Sequence, residues 1–272
     1  MYFRALHPDF GAEVLDINVL SATKPEIAQL RAALDEHQLL LFRGGRSISP
    51  DQQVKICSWF GPPTEGDDGK KWSVLQNEDA AGRIKLPFHA DFTYTESPLE
   101  VISLHATDVP PGGTSTSFVS GIRGWSDLSP DLQELLAPMR LRHRHVSSVG
   151  ADWPEFIADH PVRKLHPRSG RPILFVTEHH AHRILELDAE KSDAVLGDLF
   201  GHLYGEGHVY THHWQTNDLV IWDNLAIQHA RREAADPSAG KRAVQRVATN
   251  EIPFSELLAR ARRQEAQRRQ NA

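Results

Sequence analysis

Near the N-terminus, apolar positions recur at helical spacing in two places. Pro25 stands at a first-turn position and opens a stretch from Glu26 to Glu36, where Ile27, Leu30 and Leu34 share one stripe. Ser49 to Gln52 forms a capping box with Pro50 at the first helical position, ahead of Val54, Cys57 and Phe60. Gly61, Pro62 and Pro63 end that second helix. Between the two lies Leu39 to Phe42, an unbroken apolar run of strand length that predicts a short buried strand.

From His89 onward the texture changes to short β-patterned segments separated by Pro and Gly. They run from Val101 to Val109, Thr114 to Val119, Leu141 to Val146, Pro172 to Thr177, His208 to Trp214, Leu219 to Trp222 and Arg242 to Thr249. Many short strands with such turns predict a mainly β fold, a sandwich or jelly roll with peripheral helices, rather than a parallel α/β sheet. Helical patterns interrupt it after Ser129 and Pro130 and through Asp188 to Leu203, where Val195, Leu199 and Leu203 recur; they are expected outside the roll. No repeat or low-complexity linker divides the chain, so residues 1–272 are expected to form one domain. Its last stretch, Ser255 to Ala272, reads as a charged, arginine-rich helix and is expected to be a solvated tail.

The 272 residues are 40% hydrophobic and 24% charged, enough for a sizeable core. A net charge of −6 argues against a nucleic-acid surface, although a local basic pocket remains compatible with it. Cys57 is the single cysteine, which excludes intrachain disulfides, cysteine-built zinc sites and iron–sulfur clusters; its helical context predicts a buried structural thiol. The N-terminus lacks a signal-peptide pattern and no apolar run is long enough to span a bilayer, so a cytoplasmic enzyme is expected.

Candidate chemistry begins with His89 and Asp91. On an extended segment their spacing places both side chains on one face, where an imidazole and a carboxylate can share a metal ion. By itself the pair is weak in a chain with 16 histidines. Its context strengthens it: the strand-like run Leu219 to Trp222 turns at Asp223 and Asn224 and delivers His229. Two histidines and one carboxylate with open positions form the facial triad of non-haem Fe(II) oxygenases. Lys241, Arg242 and Arg246 follow in a β-patterned segment. The other clustered histidines, His143, His145, His179, His182, His212 and His213, are read as surface or core hydrogen-bonding groups, because none has a carboxylate and a distant third ligand so arranged.

These motifs resemble the taurine dioxygenase family, the 2-oxoglutarate-dependent Fe(II) dioxygenases of the taurine and 2,4-dichlorophenoxyacetate type. The likeness is carried by Phe10 to Val14, Gln38 to Gly44, His89 to Pro98, Pro111 to Thr114 and His229 to Arg246, nearly the whole chain in order. It implies a double-stranded β-helix (jelly roll) and a hydroxylating enzyme that uses Fe(II), 2-oxoglutarate and O2 and releases succinate and CO2. His89, Asp91 and His229 would hold the metal. Arg242, thirteen residues after His229, matches the arginine that grips the far carboxylate of 2-oxoglutarate. A hydroxyl after Gly112 and Gly113 would assist it; alignment on the glycines selects Ser115, whereas the spacing from His89 and the following Phe118 select Thr116, the preferred choice.

The same resemblance places Arg246 near the substrate end, as a ligand of a substrate anion or of the C1 carboxylate, with a structural ion pair as the other reading. His180 and Lys85 fall at matching substrate positions, and the three groups together imply a small anionic organic substrate. Expected partners are that small molecule, no nucleic acid and no membrane, with homo-oligomerisation left open. Oxidative desaturation or cyclisation in a biosynthetic pathway is the alternative outcome. A redox-inert jelly-roll hydrolase or isomerase, or a binding module without chemistry, is the reading from another class. Halogenation is disfavoured because Asp91 fills the position that a halide would need.

Overall fold

The computed structural model describes residues 1–66, 68–76, 84–110, 114–146, 153–234, 240 and 242–270. Pro111 to Gly113 and Lys241, named above, lie outside the described residues.

Two antiparallel sheets form the centre. The larger has the strand order β1 (Tyr2–Ala5), β2 (Ala12–Leu15), β3 (Leu39–Phe42), β14 (Leu219–Asp223), β6 (Val101–Asp108), β16 (Ala243–Thr249) and β4 (Ser73–Gln76), with β2 and β3 as its one parallel pair among the described strands. The smaller has the order β13 (Tyr210–His213), β7 (Ser115–Ser120), β15 (Ile227–Arg231) and β5 (Leu86–His89). Strands β14, β15 and β16 follow one another in sequence yet alternate between the sheets, the winding of a double-stranded β-helix.

Period-2 geometry explains the unbroken apolar run in β3. Leu39 and Leu41 point into the space between the two sheets with Ile102, Leu104, Phe118, Val220, Trp222 and Val244, while Leu40 and Phe42 point outward under helices α1 (Lys24–His37) and α2 (Pro50–Cys57). Both helices start as their sequences demand, with Thr23 and Ser49 closing capping boxes with Glu26 and Gln52. Cys57 is buried, and burial pushes its thiol up to about 12, as a structural thiol requires.

A third sheet, β12 (Ala181–Ile184), β8 (Arg140–His145) and β9 (Phe156–Pro161), packs with α5 (Ala189–Leu203), and a two-stranded ribbon joins β10 (Arg163–Leu165) to β11 (Pro172–Leu174). The short helices α3 (Gly121–Ser126) and α4 (Pro130–Leu136) lie between β7 and β8. The segment expected as a strand from Pro172 to Thr177 is therefore shorter, and β1, β2, β4, β9, β10 and β12 are elements that the pattern did not announce.

The charged C-terminal stretch is helical, α6 (Phe254–Gln270), but it is not a solvated tail over its whole surface. Phe254, Leu257 and Ala261 are buried against the body. Arg260 pairs with Glu96 at 3.3 Å, and Arg268 donates to the Glu155 carbonyl at 3.0 Å. Three apolar residues at spacings of three and four make the buried stripe, which the density of arginines obscured in the sequence.

Candidate metal centre

β15 pairs with both β7 and β5, and its register sets His229 opposite His89. The two imidazole centroids are 4.2 Å apart. Asp91 follows just beyond the end of β5, and its Oδ1 lies 3.4 Å from His89 Nε2 and 3.8 Å from His229 Nε2. One donor atom from each of the three residues lies within 4.8 Å of the others, and among the described residues this is the one cluster of three or more groups able to hold a metal.

In two of the three side chains the other polar atom is already committed, which turns the free one toward the site, whereas His229 Nδ1 is buried without a hydrogen-bond partner. His89 Nδ1 is 2.8 Å from the Pro87 carbonyl, a bond that fixes the ring and turns Nε2 inward. Asp91 Oδ2 accepts from Arg246 Nη2 at 2.6 Å, so Oδ1 is the oxygen that faces the histidines. Burial, with His89 and Arg246 as neighbouring charges, pushes the His229 imidazole down to about 3, so it is neutral with its lone pair available. Burial raises the cost of charging Asp91, but Arg246 above all, with the two histidines, holds the carboxyl well below its ordinary range. Two imidazoles and one carboxylate gathered at one point fit a divalent ion of the Fe(II) kind.

Asn224 is the residue that sequence reading missed. Its side-chain Oδ1 accepts from the Asp91 N–H at 3.0 Å, while its Nδ2 donates to the carbonyls of Asp91 at 3.0 Å and Leu99 at 2.8 Å. A turn amide thus clamps the backbone on which the carboxylate stands. The turn itself is anchored by buried Asp223, whose Oδ1 accepts from the N–H groups of Leu225 and Ala226 and whose Oδ2 faces His166 at 2.8 Å and Arg168. In the sequence Asp223 and Asn224 signal only a turn; the contact of Asn224 with Asp91 spans 133 positions and leaves no local trace.

Arg242 is 4% exposed, and burial together with the neighbouring Arg231 lowers its guanidinium to about 10. Val244 and Ala248 face the space between the sheets, so by strand alternation Arg246 shares that inner face, while Arg242 stands just before the start of β16. Thr116 and Phe118 share the inner face of β7, and Thr116 Oγ1 accepts from Trp214 Nε1 at 2.9 Å. Ser115 has the opposite parity.

The expected trio of convergent cations is not there. Arg246 is the ion-pair partner of Asp91 and lines a cavity beside the triad, but His180 and Lys85 do not line that cavity. Lys85 is exposed, just before β5. His180 is buried 5.9 Å from the His89 ring, with Nδ1 3.2 Å from Thr93 Oγ1, and burial with its histidine neighbours pushes it down to about 2, so it carries no charge to offer an anion. Alignment by position could place these residues near the site but could not foresee their exposure or their neighbours.

Residues 3–248 match the family described as taurine catabolism dioxygenase TauD, TfdA family, and the chain belongs to that family. Over 261 residues it is 29% identical to an alpha-ketoglutarate-dependent 2,4-dichlorophenoxyacetate dioxygenase of Cupriavidus pinatubonensis, covering 84% of this chain and 90% of the relative. It is 28% identical to a pentalenolactone F synthase of Streptomyces avermitilis, covering 82% and 85%. Among solved structures, a taurine dioxygenase from Burkholderia xenovorans superposes with a TM-score of 0.81 at 23% identity, covering 92% of this chain and 90% of the other, which shows the shared fold.

Proposed function

We propose that this protein is an Fe(II)- and 2-oxoglutarate-dependent oxygenase that hydroxylates a small anionic organic metabolite. The observation that carries the reading is the triad of His89, Asp91 and His229, with its donor atoms mutually within 4.8 Å, in a chain of the taurine dioxygenase family. Names of relatives support the cosubstrate: the Cupriavidus enzyme is called alpha-ketoglutarate-dependent. When bound, the iron with 2-oxoglutarate and O2 supplies the oxidising power, with succinate and CO2 as coproducts.

The chain's own part is placement. His89, Asp91 and His229 would hold the metal from one side, which leaves positions for the cosubstrate and O2. Arg242, buried beside Arg231, gains from a carboxylate, and the far end of 2-oxoglutarate is that carboxylate in this reading, assisted by Thr116. Arg246 keeps Asp91 oriented and presents its remaining edge to the cavity, where it would meet the substrate anion. A cytoplasmic location is part of the same proposal. The likeness to a synthase supports a second outcome, oxidative desaturation or ring closure in biosynthesis.

The deciding experiment is anaerobic addition of Fe(II) and 2-oxoglutarate to the metal-free protein. A weak metal-to-ligand charge-transfer band in the visible region is expected, and its absence from fully metallated protein would overturn the reading. Succinate formation across matched anionic, neutral and cationic candidates then tests the charge of the substrate. Stimulation mainly by neutral compounds, unaffected by Arg246→Ala, would remove the anion while leaving the oxygenase intact.

A further inference from the structure

On the outer face of the larger sheet, beside the turn that follows β3, a cavity of about 290 Å³ opens. Strand alternation sets its floor. Leu104 and Ala106 of β6 face the space between the sheets, so His105 faces the other way, next to Leu219 of β14 in the ladder. Leu219 in turn pairs with Phe42 of β3, and both belong to the outer apolar layer with Val14. His105, Leu219, Phe42 and Val14 all line the cavity. The triad lies on the inner side, where the Trp222 ring is 5.0 Å from His229, so the sheet itself separates the two places.

Three polar side chains stand in this apolar wall. His105 is 1% exposed, yet neither ring nitrogen has a hydrogen-bond partner among the described residues, a costly condition for a buried imidazole. Burial above all holds it below the ordinary histidine value, so it is neutral and offers one N–H and one lone pair. The chain leaves β3 through Gly44, φ 72°, a conformation that favours glycine, and Arg43 and Arg46 on either side of that turn line the same cavity. Arg43 donates to Asp218 through Nε at 3.2 Å and Nη2 at 3.0 Å, and through Nη2 to the His213 carbonyl at 3.1 Å, which fixes its plane and leaves Nη1 over. Arg46 is exposed and has no ion pair among the described residues. With Asp218 answering Arg43, and no carboxylate among the described lining residues, the charge of Arg46 is left in excess at the cavity.

We propose that this cavity is a second small-molecule site, on the opposite face of the sheet from the metal centre, and that it takes an aliphatic monocarboxylate. The acid group lies among Arg46, Arg43 Nη1 and the His105 N–H, and the hydrocarbon chain covers Val14, Phe42 and Leu219. A carboxylate gives the imidazole an acceptor, and a chain of several carbons removes water from a wall that a bare ion leaves wet. The volume is at the lower end for small-molecule cavities, which suits a single chain better than a fused ring system. The inference does not depend on the oxygenase reading, because it uses none of the groups assigned to iron, cosubstrate or substrate.

The test is calorimetric titration of octanoate into the metal-free protein, with acetate, octanol and octylammonium as matched controls. Octanoate is expected to bind about tenfold or more tightly than each control, since each lacks either the chain or the negative charge. Arg46→Glu, a change at an exposed side chain, should weaken octanoate by about tenfold or more, and His105→Leu should weaken it as well. Arg246→Ala, on the other side of the sheet, should leave it unchanged. Loss of binding in Arg246→Ala with retention in Arg46→Glu would place the anion at the metal centre and overturn the proposal, as would octanol binding as tightly as octanoate. If His105→Leu fails to fold, the ring resonances of His105 in the parent protein take its place: they are expected to shift with octanoate and not with acetate, and unmoved resonances reject the site.

Discussion

The two ends of the candidate site are built differently. At the metal end, His89 and His229 face each other across a strand ladder, and the Asp91 backbone is clamped by Asn224. At the other end, in the cavity beside the triad, Phe92, Trp153 and Phe254 come from three separate segments, a turn, a connection and a helix, joined by ring contacts. Hydrogen-bonded ladders hold atoms to fractions of an ångström, as metal chemistry demands. Rings held by stacking can be exchanged without disturbing the ladder, so the choice of substrate can change while the reaction is kept.

The largest expected effect falls on the ladder. His89→Ala or His229→Ala should remove most Fe(II) binding, because two remaining protein ligands hold a labile ion poorly. Iron per protein, measured after desalting, checks this; unchanged stoichiometry in both variants would mean that the ligands are wrongly assigned. Next comes the cosubstrate. Losing charged hydrogen bonds costs about 1.5–3 kcal/mol, so Arg242→Ala should raise the apparent 2-oxoglutarate constant roughly ten- to more than a hundredfold. Arg242→Lys should recover little, since an ammonium cannot make the paired planar contact. Titration of the charge-transfer band reads both, and a greater rise in Arg246→Ala would exchange the two roles.

Asn224→Ala sharpens the comparison, because it touches no metal and removes three hydrogen bonds around Asp91. Loss of such an outer partner lowers metal affinity by about 10–100-fold. Competition with a chromophoric chelator measures it. An affinity equal to that of the parent would show that the strand ladder alone positions the carboxylate.

The metal end was also the more legible in sequence. His89 and Asp91 stand two residues apart, and the strand that carries His229 follows an apolar run that could only be buried. Short-range pattern found β3, β6, β14 and both N-terminal helices for the same reason: each buries a face that the alternation or the helical stripe reveals. It missed β1 and β4, whose residues are exposed or only half-buried and carry no such signature. The cavity wall was invisible because its rings meet across large sequence separations, and the left-handed turn that aims Phe92 has neither Gly nor Asn to announce it.

Acid should weaken the sheet that backs the cavity beside the triad. His143 and His160 are buried on β8 and β9, where burial, with other neighbouring cations, pushes them down to about 3 and about 4. His160 Nε2 meets the Thr95 carbonyl at 2.9 Å and so ties the segment after Asp91 to that sheet. Both imidazoles are neutral when folded but take up protons near pH 6.5 when unfolded, as ordinary histidines do. The unfolded chain therefore binds more protons below pH 6.5, and stability present in full above that value is lost as pH falls toward 4. Denaturant midpoints of the metal-free protein should fall steadily from pH 7 to pH 5; a flat profile would contradict buried neutral imidazoles.

The smallest effect is expected where α6 is held by charge. Glu96 accepts from Arg260 at 3.3 Å and from Gln264 at 3.2 Å, both across an exposed surface, and Arg260 has a second partner in Glu256 at 2.9 Å. Water and salt screen such pairs, so Glu96→Gln should cost no more than about 1 kcal/mol, and less at high ionic strength. The buried Phe254, Leu257 and Ala261 carry the docking instead. Chemical denaturation of Glu96→Gln at low and high salt checks the balance. A loss of several kcal/mol would show that surface charge sets the position of Phe254, and with it the shape of the cavity beside the triad.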